Sequence, residues 1–188
     1  MFCKNNKVLE QKTEKNRAKK SLYSCMVAHY LFMTGRNKAG FVRVLWAWFM
    51  SPSFRVNVWV EKMKRTKTSF FKRLISNRLE SKYSITVSPT SKIGNNLRID
   101  HFHGVVIGRG AVIGDFCKLY QQVTIGQKDG KFPTIGNHVT IYPGAKVIGD
   151  ITVGDGAVIG ANAVVTKDVP AGCVAAGVPA KIIKAAKA

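Results

Sequence analysis

Asp100, His101 and His103 lie within four residues of one another in this 188-residue chain. Histidine changes its protonation state near neutral pH, so it can take the proton of a hydroxyl group while the oxygen attacks an electrophile. His101 is therefore the first candidate for a general base. His138 lies in a regular part of the sequence and is interpreted as a structural or surface residue. The spacing of the three histidines does not resemble a zinc-binding pattern, and we expect no metal.

These residues interrupt a pattern in which an aliphatic residue occupies every sixth position. Only two intervals are longer: Ile107 follows Ile99 by eight positions, and Ile135 follows Ile125 by ten. The first interval holds His101, and the second is predicted to form a loop. Because regular repeats are scaffold, such insertions are where function is carried. The thirteen aliphatic positions are Val87, Ile93, Ile99, Ile107, Ile113, Leu119, Ile125, Ile135, Ile141, Val147, Val153, Ile159 and Val165.

A period of six fits neither an α-helix nor a flat strand. Glycine often follows the aliphatic residue, as at Gly108 and Gly114, where a corner needs unusual backbone angles. Small residues such as Ala111 and Cys117 stand four positions after it and can point into a narrow interior. The pattern predicts a stack of short strands and tight turns, in which each repeat packs on the next.

Three further motifs give the repeat a family resemblance. They are Asp100-His101 followed by Gly104-Val105-Val106-Ile107-Gly108, Gln122-Val123-Thr124-Ile125-Gly126, and Ala175-Ala176-Gly177-Val178-Pro179-Ala180. With them the chain resembles the hexapeptide-repeat acyltransferases, and among these the serine acetyltransferase branch with its sugar and polysaccharide O-acetyltransferase relatives. The resemblance implies a left-handed parallel β-helix with three hexads per coil. We expect an α-helical N-terminal region over residues 1–84, the β-helix acyltransferase domain over 85–183 and a tail over 184–188.

The resemblance also implies the site residues of an acetyl-CoA-dependent O-acetyltransferase. His101 stands where the relatives have their catalytic base, and Asp100 is expected to shape the acceptor site. His103 either positions the substrate or fills the bulge. Further residues are expected to bind acetyl-CoA: Gly126 at the thioester, Gly144, Ala145 and Ala161 along the pantetheine arm, and Lys167 and Lys181 at the phosphates. Corner geometry and core packing are the alternative reason for the small residues.

Two departures from serine acetyltransferase bear on the acceptor. Thr86 stands where those enzymes carry an acid, and Phe132 where they carry a histidine before a proline. Because neither side chain can pair with a charged amino acid, and an aromatic ring at Phe132 can stack on a sugar, we expect a saccharide hydroxyl as acceptor. The saccharide would belong to a surface polysaccharide or its precursor. The alternatives are a serine O-acetyltransferase and a non-catalytic, membrane-associated β-helix scaffold.

The two insertions are one coil and one face apart once the extra residues are removed, so they leave adjacent faces of the β-helix. A ring of three parallel β-helices would place one insertion opposite the other across each subunit boundary. We therefore expect a homotrimer with sites between subunits, as the resemblance also implies.

The positive charge is concentrated at the front of the chain. The formal net charge is +20, and residues 1–82 carry 19 Lys and Arg against 4 acids. Residues 4–20 are expected to form a solvated helix or a disordered arm. The apolar runs over residues 22–33 and 41–50 are shorter than the about 20 residues that cross a bilayer, yet they could lie on its surface. Packing of these helices on the β-helix is the alternative.

The basic helical pattern over residues 54–82 places Phe54, Val58, Met63, Phe70, Phe71, Leu74 and Leu79 at buried positions. Nucleic acid is not expected as a partner, because no nucleic-acid-binding module is recognisable. The four cysteines are widely spaced and no secretory signal is visible, so we expect a reducing cytoplasmic location, with possible contact at the inner face of the membrane.

Overall fold

The computed structural model describes residues 40–185 and, ahead of them, residues 26, 27, 30, 31, 34, 36 and 38. The segment 4–20, for which we predicted a solvated helix or disordered arm, lies outside the described residues, as do residues 186–188.

Within residues 40–185, three α-helices precede the strands: α1 spans Phe41–Met50, α2 spans Pro52–Arg65 and α3 spans Ser69–Tyr83. Ser51 separates the first two helices, and its side-chain oxygen accepts a hydrogen bond from the Phe54 N–H at 3.2 Å. With proline as the first residue of α2, this is a favourable helix start. Ser84 caps the carboxyl end of α3; it has a left-handed backbone with φ 52° and donates its N–H to Glu80 O.

The predicted buried face of residues 54–82 is correct only in part. Phe54, Val58, Met63 and Leu79 are buried, whereas Phe70, Phe71 and Leu74 are exposed. The reason is a break at residues 66–68, after which α3 packs through Ile75, Leu79 and Tyr83. The one-turn spacing of this buried set places Phe70 and Leu74 on the other side of α3. Phe71 packs edge-on against Phe70 instead.

The remainder of the described chain forms the predicted left-handed parallel β-helix, with three faces. Sheet A contains β1, β4, β7, β10 and β13, sheet B contains β2, β5, β8 and β11, and sheet C contains β3, β6, β9, β12, β14 and β15. All pairings are parallel except β14 with β15. The strands are β1 Thr86–Val87, β2 Lys92–Ile93, β3 Arg98–Ile99, β4 Val106–Ile107, β5 Val112–Ile113, β6 Lys118–Leu119, β7 Thr124–Gly126, β8 Thr134–Ile135, β9 Thr140–Ile141, β10 Lys146–Ile148, β11 Thr152–Val153, β12 Val158–Ile159, β13 Val164–Val165, β14 Cys173–Ala176 and β15 Lys181–Ala185.

Each of the thirteen aliphatic residues of the repeat lies in one of the strands β1–β13. They stack in register from coil to coil, as Val87, Ile107 and Ile125 do on sheet A. All are buried except the half-buried Ile93, and the small residues four positions later, such as Ala111 and Ala145, are buried beside them. The period of six is therefore the spacing of one face of the β-helix.

Helices α2 and α3 close the first coil of the β-helix. Asn57 accepts a hydrogen bond from the Ile99 N–H at 2.8 Å and donates one to Ile99 O at 3.0 Å, while Ser76 donates to Val87 O at 2.8 Å. Two side chains thus form hydrogen bonds with strand backbone groups that would otherwise be unpaired at the open edge of the first coil. The core continues from the coils into the helices through Val60 and Leu79.

At the corner between sheets B and C, side chains of one coil cap the backbone of the coil before it. Asp115 accepts the Asn95 N–H at 2.6 Å, Asn137 accepts the Asp115 N–H at 2.9 Å, and Asp155 accepts the Asn137 N–H at 2.6 Å. A side chain at Gly114 would lie 2.7 Å from the Asn137 amide oxygen, so this close approach requires glycine.

Within the described residues, no helix combines the length and hydrophobicity that crossing a bilayer requires.

Candidate active site

His101 lies in the bulge between β3 and β4, at the corner that joins sheet C to sheet A. It is exposed and has a left-handed backbone, with φ 50°. The next residue, Phe102, is buried and packs edge-on against Tyr83 with ring centroids 5.7 Å apart. The exposed ring of His103 stacks on Phe102 at 4.3 Å. The aromatic anchor of Phe102 therefore holds the bulge with both imidazoles towards solvent.

Asp100 is paired with Arg98. The Arg98 Nε lies 2.7 Å from Asp100 Oδ2, and both side chains are largely buried, with 27% and 15% exposed. The Asp100 N–H donates to Leu119 O in the next coil, which fixes the backbone of the acid. Arg98 was not among the predicted site residues. Its place two residues before Asp100 in an extended segment was a signal, because alternate residues share a face.

The coil after the bulge contributes Tyr120, Gln121 and Gln122 to the same corner. The Gln122 N–H donates to His103 O at 2.9 Å, and Tyr120 stacks on Tyr142 with centroids 5.3 Å apart. The side-chain oxygen of Gln121 is buried and has no hydrogen-bond partner among the described residues. Nothing in the repeat pattern distinguished Gln121, since the corner position tolerates many residue types.

The predicted loop leaves the corner between sheets A and B as a small hairpin. Lys128 and Lys131 exchange backbone hydrogen bonds at 3.0 Å around Asp129 and Gly130, which both have positive φ. This is the geometry of a two-residue β-hairpin. The Lys131 Nζ lies 2.8 Å from Asp150 Oδ2, and this hydrogen bond raises the pKa of the exposed lysine. The loop is thereby tied to the following coil.

Phe132 packs back onto the preceding coil. A methyl group added at Gly108 would lie 2.9 Å from Phe132 Cε1, and one added at Gly110 would lie 3.2 Å from Cδ2. The half-buried ring packs against the core of the β-helix. The structure thus gives Phe132 a part in anchoring the loop.

Among the residues predicted to bind acetyl-CoA, Gly144 and Ala161 lie at the corner between sheets C and A, as His103 does. Gly144 donates its N–H to Gln121 O, and Ala161 is exposed in the next coil. Ala145 is wholly buried, so its methyl group lines the interior and only its backbone is available to a ligand.

The other predicted cofactor residues lie elsewhere on the coils. Gly126 ends β7 next to the loop, and a Cβ added there would meet its nearest atom, Thr124 Cγ2, at 3.5 Å, so the position is open. Lys167 is exposed after β13 at the same corner, and the exposed Lys181 begins β15 on sheet C. The chain therefore presents most of the predicted site residues at two neighbouring corners on either side of sheet A, while Lys181 lies on sheet C. Within the described part of the chain, no three His, Cys, Asp or Glu residues are grouped closely enough to hold a metal ion.

Comparison with known proteins gives consistent matches. The family model "Bacterial transferase hexapeptide (six repeats)" matches residues 132–167. The serine acetyltransferase of Helicobacter pylori (strain J99) is 47% identical over 119 residues, which cover 61% of this chain and 69% of that protein. The serine acetyltransferase of Synechococcus elongatus is 40% identical over 115 residues, or 59% of this chain and 47% of its own length. The chain thus spans about half the length of the Synechococcus relative.

Among solved structures, a serine acetyltransferase in complex with CoA superposes with a TM-score of 0.74 and 30% identity. The match covers 91% of this chain and 73% of that structure, so it includes the helices as well as the coils.

Proposed function

Because the chain belongs to the serine acetyltransferase family of hexapeptide-repeat transferases, we propose that it transfers an acetyl group from acetyl-CoA to the hydroxyl of L-serine. The relatives supply the reaction class, and the His101 bulge is the observation that carries the proposal to this chain. It holds an exposed imidazole on a buried aromatic anchor, next to an ion pair.

The prediction of a saccharide acceptor, and with it a role in polysaccharide biosynthesis, was wrong. The relatives that match the chain are serine acetyltransferases, which favour the alternative acceptor. The prediction depended on an unoccupied aromatic face at Phe132 and on the lack of charged partners for an amino acid. In the structure, Phe132 packs against Gly108 and Gly110, and Arg98 supplies a cation beside Asp100.

In the proposed reaction, the serine hydroxyl oxygen attacks the thioester carbonyl carbon of acetyl-CoA while His101 accepts the hydroxyl proton. The carbon–sulfur bond of the tetrahedral intermediate then breaks, and the imidazolium returns the proton to the departing thiolate. The products are O-acetylserine and free CoA. An oxyanion of this kind is stabilised by preorganised N–H donors, and the open position at Gly126 allows the thioester to approach the backbone closely.

The Arg98–Asp100 pair offers opposite charges to a zwitterionic substrate. In our proposal Asp100 binds the ammonium group of serine, and the guanidinium N–H groups of Arg98 that do not face Asp100 bind its carboxylate. Guanidinium is suited to this role because its planar fork matches a carboxylate. We also propose that Lys131, which pairs with Asp150 at the neighbouring corner, contributes positive charge from the loop.

We propose that acetyl-CoA lies along the coils past Gly144 and Ala161, with Lys167 and Lys181 near its phosphates. We further propose a homotrimer in which the His101 bulge of one subunit meets the hairpin loop of its neighbour, because the two lie at different corners of one subunit. The free thiols of Cys117 and Cys173 are compatible with the cytoplasmic location that we propose.

The test is the release of CoA from acetyl-CoA by purified protein with L-serine, with a panel of sugars, and without an acceptor. We expect turnover with L-serine that falls about 100-fold or more in His101→Ala. His138→Ala is the matched control, because His138 is also exposed but stacks on Phe116 at the corner between sheets B and C. Turnover with a sugar alone, or none with any acceptor from a folded protein, would contradict the proposal.

The shared site is tested by mixing inactive subunits. A His101→Ala chain and a Lys131→Glu chain that are each nearly inactive should regain part of the activity after co-refolding. If the site lies between subunits, some subunit boundaries in the mixture then contain the intact bulge of a Lys131→Glu chain and the intact loop of a His101→Ala chain. Two copies of the same variant are the control, and failure of the mixture to exceed them would show that each site lies within one subunit.

A further inference from the structure

Helix α1 is apolar on nearly all sides, but the residues that the structure describes cover one side of it. Nine of its ten residues are apolar, and Arg43 is the exception. Val44 and Ala47 are buried against the cluster that includes Tyr30 and Phe54. A helix that is apolar all round is normally buried all round.

The opposite side of α1 carries a second apolar stripe. Val42, Trp46 and Phe49 are 75%, 66% and 69% exposed, and Leu45 lies beside them with 44% exposed. Their spacing places them on one face of the helix. Contiguous exposed apolar surface of this kind marks an interaction site, whereas scattered exposed apolar residues do not.

The position of α1 is fixed from its carboxyl end. Arg55 of α2 donates from Nη1 to Trp48 O at 2.8 Å and to Phe49 O at 2.6 Å. Ser51 separates the two helices and caps α2. The exposed stripe is thus held outward by the packing of α1 on α2.

The charged residues on α1 and in the neighbouring sequence have one sign. Residues 26–60 contain four Lys and Arg and no Asp or Glu. Arg36, Lys38 and Arg43, on and just before α1, are all exposed. The surface is therefore complementary to an anionic partner. A second copy of the same face would bring like charges together.

The length of α1 agrees with a helix that lies along a surface. Ten residues of α-helix extend about 15 Å, roughly half the hydrocarbon thickness of a bilayer. Tryptophan and phenylalanine on one face, with arginine and lysine at the edges, are typical of helices in the interfacial plane of a membrane. We propose that α1 docks the protein onto an anionic phospholipid surface through Val42, Leu45, Trp46 and Phe49, with Arg36, Lys38 and Arg43 contacting the headgroups.

The proposal is tested by flotation of the full chain with vesicles of phosphatidylcholine alone or with about 30% phosphatidylglycerol. We expect the protein to bind the anionic vesicles at least tenfold more tightly than the neutral ones. This binding should weaken as the salt concentration is raised. The double variant Trp46→Ser/Phe49→Ser should bind the anionic vesicles at least about tenfold more weakly than the wild type, because both side chains are exposed and contribute to the apolar stripe. Ile183→Ser is the control, since Ile183 is 65% exposed in β15 of the β-helix.

A second pair of variants isolates the charge. Arg43→Glu should weaken binding about tenfold, whereas Lys92→Glu, the same charge change on the β-helix, should have a smaller effect. Circular dichroism checks that each variant is folded.

The proposal is overturned if the wild type does not bind anionic vesicles. It is also overturned if Trp46→Ser/Phe49→Ser binds them as tightly as the wild type and the Ile183→Ser control do. If the wild type ignores vesicles and Trp46→Ser/Phe49→Ser has a lower molar mass in solution, the stripe is an interface between copies of the chain. Vesicle binding is measured without acetyl transfer, so the outcome of this test is independent of the proposed function.

Discussion

Arg98 donates a hydrogen bond from Nε to Asp100 Oδ2 across 2.7 Å, with the buried Ile99 between them in the chain. The two charged side chains leave the same side of β3, next to the His101 bulge. Since Asp100 is one of the residues expected to contact the acceptor, the pair links the edge of sheet C to the proposed substrate site.

We predict that Arg98→Met raises the KM for L-serine by roughly 10- to 100-fold. The change removes the proposed contact to the substrate carboxylate and leaves Asp100 without its cation, and a charge-assisted hydrogen bond contributes about 1.5–3 kcal/mol. The KM for acetyl-CoA should change little. Steady-state kinetics with each substrate varied separately give both values.

Lys118→Met is the matched control for Arg98→Met, because Lys118 is the residue beside Arg98 in the next coil of the same sheet. An unchanged KM for serine in Arg98→Met, or an equal change in both variants, would refute the assignment of Arg98.

Phe132→Ala should loosen the hairpin loop. The half-buried ring packs on Gly108 and Gly110, and losing it should destabilise the loop by about 2 kcal/mol, less than for a fully buried phenylalanine. The loop contains Lys128 and Lys131, so limited trypsin digestion should cut there faster than in the wild type. Phe71→Ala, which truncates an exposed ring on α3, should leave the cleavage rate unchanged. Equal rates in Phe132→Ala and wild type would show that the ring does not hold the loop.

Asn57→Ala should lower the free energy of unfolding by about 2–4 kcal/mol. It removes two buried hydrogen bonds to the backbone of Ile99 and leaves the N–H and the carbonyl unpaired. Urea denaturation at one fixed protein concentration measures the change. Asn77→Ala, on the exposed side of α3, is the control and should stay within about 0.5 kcal/mol of the wild type. A similar midpoint for both variants would contradict the capping role of α2.

Burial raises the pKa of the Cys117 thiol to about 11. The folded state therefore retains this proton at pH values where an unfolded thiol has lost it. Its contribution to stability is complete below about pH 9 and is lost as the pH rises towards 11. Cys117→Ala should flatten the fall in the thermal midpoint over this range. At pH 8, iodoacetamide should label the half-buried Cys173 and leave Cys117 unmodified unless the protein unfolds, and fast labelling of Cys117 would contradict this.

The sequence predicted where the strands β1–β13 lie, because an aliphatic residue recurs once in every repeat and each of the thirteen lies in one of these strands. It also placed the two insertions correctly, since a break in a period is visible without a structure. The contact of Asn57 with Ile99 was not predictable, because it joins residues 42 positions apart and no period relates them. The direction of Phe132 was missed for a related reason: an insertion fixes the length of a loop, but not the side to which its aromatic residue packs.

The side chains at the corner between sheets B and C bear on how many coils can be added to or removed from this β-helix. The residues at this corner alternate between amide and acid, as Asn95, Asp115, Asn137 and Asp155, and Asn137 lies between two coils that carry a carboxylate. Duplicating a single coil within this set would place two carboxylates or two amides next to each other. Two adjacent carboxylates repel, and neither can donate a side-chain hydrogen bond to the other. Duplicating two coils keeps the alternation. We therefore expect that β-helices built on this corner grow or shrink most easily by even numbers of coils.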